Sequence, residues 1–236
     1  MMIKLVIFDL DNTLTDFMRM KEAAIEAAIE AMIDAGLMFP PERIRDEIRR
    51  IYDDEGIEYQ RVFNKLLVTL KGEVDYKVLA AGIVGYRRGR EASLVLYPHV
   101  KMTLIQLLAR GLRLAVVSDA PRQEAWLRLC YLQLHHMFET VVTYEDTGEY
   151  KPSPAPFRKV LEVMGVGPDE ALMIGDWPER DIVGAAKIGI RTVFARYGDT
   201  FDTKESGADY EINDAYGLVR IVDELNDAEP AKGSKR

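Results

Sequence analysis

Leu5-Val6-Ile7-Phe8-Asp9-Leu10-Asp11-Asn12-Thr13-Leu14 decides the fold of this chain. The apolar, β-branched and aromatic half predicts a buried strand. The polar half sets two carboxylates, Asp9 and Asp11, one residue apart at the carboxyl end of that strand. Ligands of open α/β sheets bind at this edge. Crowded carboxylates raise each other's free energy, so a divalent cation, a proton or a lysine must offset them.

Beyond Leu14 the pattern turns helical. Ile25, Ile29, Met32 and Ile33 form one stripe between Asp16 and Gly36. Pro41 opens a second helix to about Tyr52, and further helices are predicted from about Glu58 to Leu70 and from Asp75 to Gly89. With no strand before Leu94, residues 16–94 are expected to form an inserted all-helical cap.

From Tyr97 strands and helices alternate. Helices are predicted over Val100–Arg110, around Trp126–Leu129, over Pro154–Met164, Asp181–Ile188 and Tyr216–Leu225. Strands are predicted over Leu112–Val117, Thr140–Thr143, Ala171–Ile174, Arg191–Phe194 and Ala208–Ile212. The alternation implies an α/β fold: a Rossmann-like parallel sheet with helices on both faces. Residues 1–15 and 95–226 would form this core, and residues 227–236 a disordered tail.

Several predicted strands end on polar residues that a parallel sheet gathers at one edge: Asp9 and Asp11, Ser118-Asp119, and Gly175-Asp176. Lys151 stands in Glu149-Tyr150-Lys151-Pro152-Ser153-Pro154, where two prolines stiffen the approach to a helix. Hard carboxylate oxygens suit Mg²⁺, a carboxylate can be a nucleophile, and Ser118, Asp119 and Lys151 are placed to meet a phosphate. Phosphoryl transfer is the chemistry these residues suggest.

In this order, Asp9-Leu10-Asp11-Asn12-Thr13, Ser118, Lys151 before Pro152, and Gly175-Asp176 with Asp181 beyond resemble the four motifs of the haloacid dehalogenase-like (HAD) hydrolase superfamily. The helical insertion resembles the C1 cap of its phosphoglycolate-phosphatase-like branch. The resemblance implies that Asp9 attacks phosphorus and that Asp11 is acid and then base. It also implies that Asp9, the Asp11 carbonyl and Asp176 hold Mg²⁺, with Thr13 and Asp181 supporting them, and that Ser118 and Lys151 bind phosphate. The implied activity is a Mg²⁺-dependent phosphatase acting on a small phosphorylated metabolite through an aspartyl-phosphate. Asp11 argues against a haloacid dehalogenase, whose leaving halide needs no proton. A phosphomutase, a phospho-accepting signalling receiver and a non-catalytic phospho-ligand binding protein are the other readings. The chain departs from the pattern at Trp177, where a small residue is usual, and at Asp119, where Asn is frequent; the Asp119 side chain is expected to turn from the phosphate.

The 236 residues carry a net charge of −8, which opposes general nucleic-acid binding. No apolar run reaches the roughly 18 residues a membrane span needs, and the first residues lack a signal-peptide order. Cys130 is the one cysteine, which excludes an internal disulfide. A cytoplasmic monomer or homodimer without membrane partners is expected. Cys130 is read as a small apolar helical residue, His99, His135 and His136 as structural, and Arg87-Arg88-Gly89-Arg90 as a solvated face. Phe17, Arg19 and Met20 are candidates to face the substrate.

Overall fold

The computed structural model describes residues 2–227. In chain order the elements are β1 (Leu5–Phe8), α1 (Phe17–Asp34), α2 (Pro41–Glu55), α3 (Val62–Lys71), α4 (Tyr76–Ser93), α5 (Val100–Ala109), β2 (Arg113–Val117), α6 (Arg122–Tyr131), β3 (Thr140–Val142), α7 (Tyr144–Thr147), α8 (Pro154–Met164), β4 (Ala171–Gly175), α9 (Val183–Ala186), β5 (Arg191–Ala195), β6 (Tyr210–Ile212) and α10 (Gly217–Asp227). Two compact units emerge among the described residues: Phe17–Val95, and the remainder up to Asp16 and from Leu96.

The larger unit is an α/β sandwich around one parallel sheet of order β3-β2-β1-β4-β5-β6. The chain winds outward from β1 to β3, then returns to β4 and winds the other way. The order therefore reverses between β1 and β4, the place where such sheets bind ligands. Every residue of β1 and β4 is buried, as a strand covered on both faces requires. Their side chains alternate between two cores. Val6, Phe8, Leu114, Val116, Leu172 and Ile174 pack with residues of α5, α6 and α10. Leu5, Ile7, Ala115, Val117 and Met173 pack with Phe157, Val160 and Leu161 of α8.

Register fixes the active edge. Phe8 pairs with Val116 on one side and Ile174 on the other. The residues that follow, Asp9, Ser118 and Asp176, thus leave neighbouring strands at nearly one level. The Asp9 N–H still donates to the Ile174 carbonyl at 2.9 Å, and the Ser118 N–H to the Val142 carbonyl at 3.0 Å.

The smaller unit is all helical, with a core of Ile29, Met32, Ile44, Ile48, Ile51, Leu66 and Leu67. The helix predicted to stop at Gly89 runs on to Ser93. Gly89 is a packing position rather than a stop: a Cβ there would lie 2.8 Å from the Ala27 Cβ and 2.9 Å from the Ala23 carbonyl oxygen of α1. The helix expected from Glu58 begins only at Val62.

Three further expectations change. The helix predicted over Asp181–Ile188 is a π-helical turn, Pro178–Ile182, followed by the single turn α9. Asp227 is helical rather than part of a tail, and α10 is tied down where Asn226 Oδ1 accepts from the Ile3 N–H at 2.7 Å. The rest of the expected tail, residues 228–236, lies outside the described residues. Cys130 is exposed on α6 rather than packed.

Candidate active site

The strand-end carboxylates meet a buried lysine. Lys151 Nζ donates to Asp9 Oδ1 at 2.5 Å and to Asp181 Oδ1 at 2.6 Å. All three side chains are buried, as is Asp176. Asp9, Asp176 and Asp181 each bring one carboxylate oxygen within 4.8 Å of the others. Thr13 Oγ1 donates to Asp176 Oδ1 at 3.0 Å, and the Trp177 N–H donates to Asp181 Oδ2 at 3.0 Å. Both Asp181 oxygens are therefore engaged by the protein, while Asp9 and Asp176 each commit one oxygen to Lys151 or Thr13.

This cluster sets three acids against one lysine. Burial drives Asp9 up to about 7, against the pull of Lys151 and with further push from Asp181 and Asp11. Burial raises Asp176 well above the carboxylate range as well, helped by Asp9 and Asp181. Burial disfavours the Lys151 charge, but Asp181, Asp9 and Asp119 outweigh it and its pKa rises. One fixed cation does not hold three buried carboxylates ionised. A hard divalent cation would supply the missing charge, and the all-oxygen donor set fits one.

The loop from Asp11 to Thr15 is shaped for its task. Asn12 adopts positive φ (57°), its N–H donates to the Thr15 carbonyl at 2.8 Å, and Tyr197 Oη donates to the Thr13 carbonyl at 2.9 Å. A turn at Arg196–Gly198 presses on this loop so closely that a Cβ at Gly198 would lie 1.6 Å from the Asn12 carbonyl oxygen. Tyr197 and Gly198 escaped the sequence reading, since the turn after β5 carries no motif.

Asp11 lies outside the lysine cluster. Its Oδ2 is 3.1 Å from Nη1 of Arg128, a buried residue of α6. Ser118 is buried at the end of β2, and its Oγ accepts from the Ala120 N–H at 3.1 Å. The Asp119 carboxylate is occupied elsewhere. Oδ1 accepts from the Lys151 N–H at 3.0 Å, and Oδ2 takes Arg180 Nη1 at 2.9 Å. The Asp119 residue expected beside the phosphate is thus a brace for the lysine loop, because a second anion beside phosphate is repelled whereas a backbone N–H and a guanidinium attract it. The Arg180 guanidinium lies 3.9 Å above the Trp177 ring, whose other neighbour is Phe201 at 4.6 Å between centroids.

Of the remaining candidates, Phe17 and Met20 are buried while Arg19 is exposed. His99 Nδ1 sits 2.6 Å from Asp214 Oδ2, and the His135 and His136 rings lie 3.9 Å apart between centroids, tilted by 49°. Arg87 and Arg88 are exposed.

The profile of the haloacid dehalogenase-like hydrolases matches residues 6–195. The glyceraldehyde 3-phosphate phosphatase of Methanocaldococcus jannaschii is 36% identical over 227 residues, covering 95% of this chain and 99% of the relative. That of Methanopyrus kandleri is 35% identical, covering 95% and 99%. A solved structure of a HAD phosphatase from Thermococcus onnurineus is 26% identical, with a TM-score of 0.71 over 95% of this chain and all of the other. The chain belongs to the haloacid dehalogenase-like hydrolase family and is an enzyme of its phosphatase class. Among the described residues no helix is long and apolar enough to cross a membrane.

Proposed function

We propose that this protein is a Mg²⁺-dependent phosphatase of small phosphorylated metabolites, with Asp9 as nucleophile and a three-carbon phosphate such as glyceraldehyde 3-phosphate as the first substrate to test. The substrate class comes from the names of the relatives. The observation that carries the chemistry is Lys151 bonded to both Asp9 and Asp181 at a strand edge that also presents Asp176.

The Asp9 and Asp176 carboxylates, with the Asp11 main-chain carbonyl, would hold Mg²⁺; bound there it would neutralise phosphoryl oxygens and keep Asp9 ionised. Asp181, with both oxygens engaged, holds Lys151 in place rather than meeting the metal directly. Lys151 and Ser118 bind the phosphate, and backbone N–H groups at the strand ends assist them. An Asp9 oxygen attacks phosphorus in line, the bond to the ester oxygen breaks, and Asp11 gives that oxygen a proton. In the second half Asp11 takes a proton from water as it attacks the aspartyl-phosphate, releasing inorganic phosphate, freeing the Asp9 carboxylate and returning Asp11 to its protonated form. The helical unit corresponds to the cap of the family and is assigned the choice of leaving group.

Phosphate release from a panel holding glyceraldehyde 3-phosphate, phosphoglycolate and pyrophosphate, with Mg²⁺ and with chelator, tests this. Turnover should need the metal and vanish in Asp9→Asn. An inert wild type across the panel would reject the enzyme reading.

A further inference from the structure

Helix α6 buries Ala125, Arg128 and Leu129 on one face. Ala125 and Leu129 belong to the apolar core beneath the sheet. An arginine at the position between them, 5% exposed, stands where helical spacing calls for an apolar side chain. Burying a guanidinium is costly, and ion pairs of this kind are often no more stable than well-packed apolar residues. Stability therefore gives no reason for an arginine here. Its position does: Nη1 lies 3.1 Å from Oδ2 of Asp11.

We infer that Arg128 is a positioning residue for the proton-transfer step, holding the Asp11 carboxylate in the one orientation from which it reaches the leaving oxygen. The inference rests on the phosphatase reading, with Asp11 as its acid and base. A carboxylate on a loop has free rotation about two side-chain bonds. A guanidinium fixed in a packed helix restrains that freedom by the close attraction of opposite charges at 3.1 Å. Proton transfer falls steeply with misplacement of the acid. Arg128 acts through Asp11, so its loss should matter in proportion to how much the leaving group needs a proton. An aryl phosphate that expels a stable phenolate needs little help. An alkyl phosphate that expels an alkoxide needs much.

The test compares kcat/KM for p-nitrophenyl phosphate and for an alkyl phosphate that the wild type hydrolyses, in the full-length protein with Mg²⁺. Arg128→Met should widen the aryl-to-alkyl ratio by about tenfold or more, a fraction of the roughly 10²–10⁴-fold that a general acid contributes. Arg128→Lys, which keeps a cation, should recover part of it. Asp11→Asn should widen the same ratio, and adding Arg128→Met to it should widen it no further. Rates on both esters that fall together in Arg128→Met, or that do not change, overturn the inference and assign the arginine to packing. If Arg128→Met does not fold, Arg128→Gln and Arg128→Lys carry the same comparison, since the ratio is read within one folded protein. Wild-type protein inert toward both esters overturns the phosphatase reading and this inference with it, an outcome distinct from a failed ratio.

Discussion

Asp181 lies directly against Gly175, two positions before the aromatic Trp177 that binds its carboxylate. A Cβ on Gly175 would lie 2.2 Å from Asp181 Oδ2 and 2.4 Å from Asp181 Cβ. The absence of a side chain on the last residue of β4 is what lets the acid reach Lys151. Gly175→Ala must push Asp181 away, releasing one of the two acids that hold the lysine. A shift of about 1 Å at such a site is expected to lower kcat by about 10²-fold, with overpacking costing roughly 1–3 kcal/mol of stability. Steady-state kinetics beside a denaturant titration would check both; near-native kcat would show that Asp181 is dispensable to the lysine.

Among the described residues, Lys151 is the one cation bonded to the acidic cluster. Lys151→Met leaves Asp9 and Asp181 without their shared donor. Removing one partner of a buried ion pair costs about 3–5 kcal/mol, but here Mg²⁺ can restore part of it. The variant should therefore melt well below wild type in chelator and approach it in Mg²⁺, while kcat stays depressed by about 10²–10³-fold, as when a preorganised donor to a transition state is lost. Equal melting deficits with and without Mg²⁺ would contradict a shared site.

The site was legible from sequence to the extent that it is built at strand ends. An apolar run breaking into Asp9-Leu10-Asp11, and another into Gly175-Asp176, announce both the strands and their working edge. Parallel register then gathers those ends without further information. What escaped notice comes from elsewhere. Arg128 is hidden inside a helix, where only its conflict with the apolar face marks it. Tyr197 and Gly198 act through the chain's main-chain atoms, which no residue pattern records. That Asp119 turns from the phosphate follows from its charge, but what it turns to does not, since its partners Lys151 and Arg180 lie 32 and 61 residues away. Gly89 reads as a helix end because close approach between helices, not local propensity, decides its place.

Asp9 makes the metal-free protein sensitive to pH in a definite sense. Its pKa is lifted by burial from 3.8 to about 7 in the folded state. Between those values the folded protein binds more protons than the unfolded chain, so the contribution of Asp9 to stability falls as pH rises through the window. In chelator, the melting temperature of Asp9→Asn should gain on wild type from pH 5 to pH 8. Mg²⁺ must find the carboxylate ionised, so its stabilisation of wild type should grow over the same interval. Differential scanning fluorimetry of both proteins at several pH values is sufficient. A constant difference between them would remove Asp9 as a source of the dependence.

Arg180 reaches the chemistry through two intermediaries. It pairs with Asp119 at 2.9 Å, Asp119 accepts the Lys151 N–H at 3.0 Å, and Lys151 Nζ meets Asp9 at 2.5 Å. The guanidinium is partly exposed, so the pair itself adds little stability, and Arg180→Ala should melt close to wild type. Its stacking on Trp177 and its grip on Asp119 nonetheless set where the lysine loop begins. Loosening that loop is expected to lower kcat by about tenfold, the scale of a small loss of alignment. Asp119→Ala should do the same by freeing the same N–H. Because both act on one loop, the double variant should fall short of the product of the two effects. Independent, multiplying losses would mean that Arg180 serves the substrate directly and not through Asp119.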